Sequence, residues 1–277
     1  MRKHRFSMIR LAIYAMLALI SLLSLFPFFW LIRSSFMSSG EIFAMPMRWL
    51  PERFRWENYR YAITTFPFFQ YFQNTLTLVV LNMAGNIFCS SFVAFGFSRI
   101  EFKGRNICFA LVMSTMMIPY SVIQLPQFII WLKLGLYDTL VPLWLPSFFI
   151  NAFFIFLVRQ FYMTIPRDYD EAATIDGANL LQVYWKILIP LSKPVLATVG
   201  VFTFMWTWND FLGPLIYLKS KDNYTLALGL QSFLDRYVNQ WHYLMAASTV
   251  VILPMILLFF MAQRFFIEGI TFTGLKS

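Results

Sequence analysis

The chain has 277 residues, of which 59% are apolar and 13% are charged, and its formal net charge is +9. A water-soluble domain usually carries about 25% charged residues, so this composition excludes an ordinary globular protein in water. The mean hydropathy of +0.64 favours a protein embedded in lipid. The positive charge is explained by helix-end anchoring and attraction to anionic lipid, and it requires no nucleic-acid partner.

Six apolar segments are long enough to cross a bilayer, which takes about 17–25 residues of helix. Their approximate bounds are 11–32, 71–97, 107–132, 140–162, 193–218 and 243–265. Basic residues precede the first segment, but its apolar run is too long for a signal peptide, so we predict a retained helix. None of the segments alternates polar and apolar residues as barrel strands do. The sequence therefore predicts an all-α membrane protein with six transmembrane helices.

The basic residues predict the orientation of these helices. Thirteen of the 22 lysines and arginines lie in pieces that would share a side with the N-terminus. The positive-inside rule then places the N-terminus in the cytoplasm. The bias is clearest in residues 1–10 and at Arg99, Lys103 and Arg105. Residues 159–193 fall on the cytoplasmic side in this orientation.

Polar residues inside the apolar segments predict a polar seam. Asn82 and Asn86 lie one turn apart in the second segment, and they either bond a neighbouring helix or contact a substrate. Pro119 and Pro126 interrupt the third segment, and Asn151 lies in the fourth. Buried amides and freed backbone groups in lipid need partners from protein or water.

A polar island separates the fourth and fifth segments. Thr164-Ile165-Pro166 is predicted to open a helix, because proline is tolerated in a first turn. The acidic residues Asp168, Asp170 and Glu171 would lie near the positive end of its dipole. Ala172 and Ala173 keep one side of the helix thin, and Gly177 is placed as a left-handed stop. A second helix over 179–189 would lay an apolar stripe on the bundle, formed by Leu180, Leu181, Tyr184, Ile187 and Leu188. The island is either a docking element or an amphipathic connector.

The sequence carries none of the catalytic signatures that we sought. It has no phosphate-binding loop, no His-Glu-x-x-His and no Gly-x-Ser-x-Gly. Cys89 and Cys108 have no metal-ligand spacing, so we predict no metal site. The missing catalytic signatures lead us to predict that the chain is not an enzyme. Asp210 is the clear ionisable candidate within a segment, and a secondary transporter would need an ion site and an internal repeat. A membrane enzyme and a membrane-anchored scaffold are the other rival classes.

The island resembles a known motif. Glu171-Ala172-Ala173, Gly177 and Ile187-Leu188-Ile189-Pro190 are similar to the EAA loop of membrane subunits of ATP-binding-cassette (ABC) importers, although Ile189 replaces the usual leucine. Further segments resemble the maltose-type carbohydrate permeases, and in particular their short, MalG-like subunit. These segments are Glu57-Asn58-Tyr59, Asn74-Thr75, Asp176-Gly177-Ala178, Pro190-Leu191-Ser192-Lys193-Pro194, Trp208-Asn209-Asp210-Phe211 and the tail Gly269-Ile270-Thr271, Gly274-Leu275-Lys276.

The resemblance implies a type I ABC importer permease fold with a cytoplasmic EAA coupling helix. Residues 1–70 would hold the first helix and an outside loop, 71–266 the permease core and 267–277 a tail. The implied partners are a second homologous permease subunit, two ATPase subunits and an extracellular solute-binding protein. The chain would bind no cofactor, and ATP and Mg²⁺ would belong to the ATPase. The outside loop at 219–241 would either reach toward the binding protein or form a simple connector.

The resemblance also implies roles for individual residues. Glu171, Ala172, Ala173, Asp176 and Gly177 would couple the chain to the ATPase. The candidate substrate-path residues are Trp206, Trp208, Asn209, Asp210, Asn151 and Asn82. Aromatic faces stack on sugar rings, and amides and carboxylates bond hydroxyl groups. Asn209 and Asp210 have the alternative role of capping the fifth helix or bracing a gate. The implied function is import of a sugar, with another solute such as glycerol phosphate, or an ion-coupled secondary transporter, as alternatives.

Overall fold

A computed structural model describes residues 2–64, 67–236 and 240–274. All regular structure within these ranges is helical, which confirms the all-α prediction. The α-helices are α1 (Arg2–Ser35), α2 (Ser39–Ile42), α3 (Glu57–Thr64), α4 (Phe68–Arg99), α5 (Arg105–Ser114), α6 (Tyr120–Lys133), α7 (Val141–Trp144), α8 (Ala152–Thr164), α9 (Asp168–Ile175), α10 (Leu180–Val183), α11 (Ile189–Leu191), α12 (Lys193–Trp208), α13 (Leu212–Tyr217), α14 (Leu226–Arg236) and α15 (Trp241–Gly274). Tail residues Leu275 and Lys276 and loop residues 237–239 lie outside the described ranges.

In the described part of the chain, four stretches are long and apolar enough to cross a membrane, and two bent helix pairs raise the number to six. The four stretches are Met8–Ser35, Phe68–Arg99, Val141–Thr164 and Trp241–Gln263. The pairs are Arg105–Met117 with Tyr120–Lys133, bent by 96°, and Leu180–Leu191 with Lys193–Trp208, bent by 75°. The prediction of six spans therefore holds when each bent pair counts as one.

Two predicted segments are less regular than their hydropathy suggests. The third segment breaks where Ile118 adopts an extended conformation before Pro119, a backbone region to which a following proline restricts its neighbour. Pro126, by contrast, lies inside helix α6. The fifth segment was predicted to run to residue 218, but α12 ends at Trp208 and the short helix α13 follows.

The chain divides into two compact units. The first comprises residues 1–68 and 230–253. Its connection after α1 is organised by Asn58, whose Nδ2 donates to the carbonyl oxygens of Ser35 at 2.8 Å and Met37 at 2.9 Å. Ser38 and Glu41 form a capping box at the start of α2. Most of α1 exposes its apolar side chains, so this helix offers its surface to lipid or to another chain.

The second unit comprises residues 69–229 and 254–277. Its core packs α4, α8 and α12 with the segment after α10, around the fully buried side chains of Phe154, Tyr162, Tyr184 and Leu188. The Ser91 and Tyr184 hydroxyl groups are 2.8 Å apart, which satisfies both polar groups inside this core. This packing fixes the position of the segment that contains the polar island.

Helix α4 also makes a close backbone approach within this unit. A Cβ at Gly85 would lie 2.9 Å from the carbonyl carbon and oxygen of Ser147 and 2.7 Å from a ring carbon of Phe148. Gly85 thus supplies the small residue that lipid-embedded helices need where their backbones meet. At Gly96 a Cβ would meet nothing within 4 Å.

Candidate functional site

The polar island forms helix α9, which begins later than the sequence suggests. Thr164 ends α8, and Ile165 is extended ahead of Pro166. The first helical residue is Asp168, so the prediction that proline lies in the first turn is wrong. The reason is that a residue before proline avoids the helical region, which places a break between α8 and α9. Asp168, Asp170 and Glu171 occupy the first turn as predicted, where negative charge favours the helix dipole.

The end of α9 is set by Gly177. Its φ of +84° lies in the left-handed region, which confirms the predicted stop. The Gly177 N–H donates to Thr174 O at 3.0 Å, and the Ala178 N–H donates to Ala173 O at 2.9 Å. Asn179 then starts α10 through a capping box with Gln182. Two short helices are thus joined by a turn that only a few residue types can adopt.

Most of the predicted coupling residues are exposed on α9 and its turn. Glu171, Ala172, Asp176 and Gly177 are exposed, and Ala173 is half-buried. The acidic, thin surface of α9 is consequently available to another protein.

The predicted apolar stripe after the turn is partly wrong. Leu180 and Leu181 are more than half exposed, whereas Tyr184 and Leu188 are fully buried and Val183 is buried with them. A π-helical turn over Tyr184–Leu188 changes the register, so the apolar positions do not follow the period of a plain α-helix. The exposed side chains of Leu180 and Leu181 add an apolar area next to the exposed acidic surface of α9.

Helix α9 is attached to helix α4 by a charge contact that the sequence does not reveal. Arg99 Nε lies 2.9 Å from Asp170 Oδ2, and Arg99 Nη2 donates to Ile165 O at 2.9 Å. Burial raises the pKa of Asp170, although the positive charges of Arg99 and Arg167 oppose this rise. A cavity of about 430 Å³ lies beside this contact, and Arg99, Asp170 and Glu171 are among its lining residues. The contact partly buries Asp170, whereas the adjacent Glu171 remains exposed at the rim of the cavity.

A second, larger cavity lies among α4, α6, α7, α12 and α13. Its volume is about 560 Å³, and four of the predicted substrate-path residues line it: Asn82, Asn151, Trp206 and Asp210. The structure adds polar residues that the sequence analysis did not select, namely Tyr120, Gln127, Ser147 and Thr207. Aromatic and hydroxyl-bonding groups therefore share one wall.

Two predicted substrate-path residues, Trp208 and Asn209, are not among the residues that line this cavity. Trp208 is buried and stacks on Phe204 with ring centroids 5.2 Å apart. Asn209 is exposed, and its Nδ2 donates to Met205 O at 2.8 Å, one turn back in α12. Asp210 Oδ1 accepts from the Gly213 N–H at 3.1 Å at the start of α13. These contacts agree with the alternative that Asn209 and Asp210 cap helix ends.

The amides of the seam are bonded to neighbouring helices. Asn82 Nδ2 donates to Leu143 O at 3.1 Å, and its Oδ1 accepts from the Ser147 hydroxyl. Asn86 contacts Thr203 Oγ1 at 3.4 Å and accepts from Asn151 at 3.4 Å. The interpretation that Asn82 and Asn86 bond other helices is confirmed, and these bonds hold the cavity wall together.

Comparisons with known proteins agree with this architecture. Residues 14–271 match the family described as "Binding-protein-dependent transport system inner membrane component". The arabinooligosaccharides transport system permease protein AraQ of Bacillus subtilis (strain 168) is 34% identical over 99% of this chain and 98% of its own length. The AraQ protein of Halalkalibacterium halodurans is 33% identical over 94% of each chain.

A solved structure shares the fold. It is a chain of a bacterial ABC transporter involved in the import of the acidic polysaccharide alginate, with a TM-score of 0.81 and 25% identity. The similarity covers 94% of this chain and 97% of that one. The helical architecture, the island and the matched family agree, and this chain belongs to the inner membrane components of binding-protein-dependent transport systems.

Proposed function

We propose that this chain is the permease subunit of an ATP-driven importer that carries a sugar, specifically an oligosaccharide, across the cytoplasmic membrane. Two relatives named for arabinooligosaccharides and a solved alginate importer support a carbohydrate cargo. ATP and Mg²⁺ would be bound by separate ATPase subunits, since this sequence has no phosphate-binding loop. The chain itself would convert the nucleotide state of those subunits into motion.

The exposed acidic face of α9 is the observation that carries this proposal. Glu171 is exposed to solvent, while its neighbour Asp170 is held by Arg99. The side chain of Ala172, next to Glu171, is small, so α9 would fit into a cleft of an ATPase subunit. Gly177 would fix the angle at which the helix enters. In this role α9 is a lever whose position follows the partner.

The complete importer would contain a second homologous permease subunit, two ATPase subunits and an extracellular solute-binding protein. Closure of the ATPase subunits on ATP would draw the two coupling helices together and open the permease outward, and hydrolysis would reset it. The basic-residue bias supports a cytoplasmic N-terminus and hence a cytoplasmic α9.

The cavity beside Asn82 is the proposed substrate path. Trp206 is half exposed and would stack on a sugar ring, while Asp210 and Asn151 would bond hydroxyl groups. Trp208 is buried against Phe204, so its proposed part is to support the wall. Asn209 would hold the end of α12 at the mouth of this path.

Purification of the intact complex from its host tests the proposal. We expect the chain to co-isolate with an ATPase and a second permease, and the ATPase activity to rise when the cognate binding protein and its sugar are added. Glu171→Lys should abolish this stimulation and sugar uptake while the chain stays in the membrane. Glu52→Lys, which reverses an exposed charge in the connection after α1, to which no partner subunit is assigned, is the control. Normal uptake by the Glu171→Lys variant would refute the coupling role.

A further inference from the structure

Four arginines surround a cavity that the transport mechanism does not use. Its volume is about 270 Å³, and Arg99, Arg105, Arg159 and Arg167 are among the lining residues, which include no carboxylate. Like charges gathered in this way repel each other, and the charges of Arg105 and Arg159 are close enough to do so. Such an arrangement favours a negatively charged occupant.

Two of the four guanidinium groups already have counter-charges. Arg99 pairs with Asp170, and Arg167 pairs with Glu101 at 3.1 Å. The Arg167 pair is exposed, with half of the arginine side chain and 74% of the glutamate accessible, so it constrains Arg167 weakly.

The other two guanidinium groups contact only neutral groups in the described part of the chain. Arg159 Nε donates to Phe97 O at 3.3 Å, and its guanidinium lies 4.1 Å from the centre of the Phe109 ring. Arg105 Nη1 reaches Ile100 O at 3.5 Å, which is a long contact. Each guanidinium carries five N–H donors, so most of these donors are open to an acceptor in the cavity. The Phe109 ring and the Phe97 carbonyl oxygen hold the Arg159 guanidinium group in one orientation before a ligand binds.

The cavity lies at the ends of three candidate membrane spans, and this position indicates which kind of anion it would bind. Arg99 ends one candidate span, Arg105 begins another, and Arg159 lies near the end of a third at Thr164. The ends of membrane spans are expected at the depth of the lipid headgroups, and basic pockets between helices at that depth suit anionic headgroups. Arginine forks match phosphate oxygens in pairs of hydrogen bonds.

We propose that this cavity binds a phosphate group, supplied by the headgroup of an anionic phospholipid. The bound phosphate would neutralise Arg105 and Arg159 and join the start of α5 to the end of α8. Both arginines lie beside the segment that leads into α9, so the lipid would stabilise the position from which α9 moves. Free phosphate carries the same chemistry, and the experiment separates the two sources.

The test uses the complete transporter in nanodiscs of phosphatidylcholine, with or without phosphatidylglycerol. Native mass spectrometry of the released complex counts the phosphatidylglycerol molecules that remain bound as their share in the nanodisc is lowered. We expect one site with a clear preference over phosphatidylcholine. Arg105→Gln should weaken it by about tenfold or more, the effect of losing a charged hydrogen-bond partner. Arg105→Lys, which keeps the charge but loses the fork, should weaken it less.

Lys103→Gln is the matched control, because it removes the same charge two residues before Arg105, at an exposed position that does not line the cavity. Equal losses in the Arg105→Gln and Lys103→Gln variants would overturn the proposal, as would unchanged binding in the Arg105→Gln variant. In pure phosphatidylcholine nanodiscs, inorganic phosphate is titrated instead. Phosphate binding that depends on Arg105 would make the site one for free phosphate. The absence of both ligands from the complex would refute the site.

Discussion

Arg99 Nε and Asp170 Oδ2 lie 2.9 Å apart and join the last residue of α4 to the first turn of α9. The side chains are 6% and 20% exposed, so the pair is partly withdrawn from water. Because Asn82 and Asn86 of the polar seam lie on the same helix as Arg99, a displacement of α9 would pass to the cavity wall through one rigid element. This relationship leads to the first prediction.

Asp170→Asn should loosen α9 from α4. The change keeps the shape of the side chain but leaves Arg99 without a counter-charge, which costs up to about 3 kcal/mol for a buried pair. We expect faster hydrogen exchange of the α9 amides, and less sugar imported for each ATP hydrolysed. Asp168→Asn removes an exposed charge from the same turn, so it loses the same interaction with the helix dipole but no ion pair, and it should change both quantities less. Equal exchange rates in the two variants would show that the ion pair does not hold α9.

Gly177→Val should disturb the turn after α9, whereas Gly177→Asn should be tolerated. A Cβ at this position meets nothing within 4 Å, so the cost arises from the backbone φ of +84°. A β-branched residue in this region costs about 1–3 kcal/mol, and asparagine adopts it more readily. We expect uptake to fall in the valine variant, with the protein still in the membrane. Full uptake by the valine variant would contradict a fixed lever.

Gly85→Ala should destabilise the second unit. The added methyl group would lie 2.9 Å from the Ser147 carbonyl, and backbone cannot move aside as a flexible side chain does. We expect a loss of about 1–3 kcal/mol, read as a lower midpoint of thermal unfolding. Gly96→Ala, on the same helix with nothing within 4 Å, should raise stability by about 0.5–1 kcal/mol. A similar midpoint for both variants would rule out the close approach at Gly85.

Lowering the pH should break the hydrogen bonds that Lys219 and Ser220, in the loop before α14, donate to the Asp138 carboxylate. Hydrogen bonds from the Ser220 hydroxyl, the Ser220 N–H and the Lys219 N–H lower the pKa of Asp138 to about 2, from an ordinary 3.8. A lowered pKa stabilises the contact above pH 3.8, and the stabilisation is lost as the pH falls through about 2. We expect the protection of the Lys219 and Ser220 amides, which is their exchange rate relative to that of an unstructured peptide at the same pH, to fall across this interval.

Asp138→Asn provides the control for the acid prediction. Asparagine tolerates the positive φ of 59° at this position, so the backbone should be kept while the titrating charge is removed. The protection of the Lys219 and Ser220 amides in this variant should not change between pH 3.8 and about 2. A dependence that persists without the carboxylate would assign the effect to another group.

Local features of the sequence were good guides to local structure. Hydropathy located the spans, because a helix in lipid must satisfy its own backbone hydrogen bonds and can only be long and apolar. Pro119 predicted the break in the third span, and Gly177 predicted the left-handed turn. Each of these inferences depends on residues within a few positions of each other.

Features that depend on helix faces were predicted less well. Trp206 and Trp208 looked equivalent in sequence, but the first lines the cavity and the second is buried against Phe204. The exposed Leu180 and the buried Tyr184 were assigned to one stripe, because the π-helical turn has no clear sequence signal. A small change in helix register decides which way a side chain points.

Residue patterns alone predict a helical membrane protein with a polar, acidic helix between its fourth and fifth spans. The packing of the helices was needed to show that Asp170 pairs with Arg99 while Glu171 stays exposed, and that Arg105 and Arg159 line one cavity. The physical reason is that hydropathy and turn chemistry act over a few residues. Charge pairs and cavities instead depend on helices that are distant in the chain and meet only when they pack.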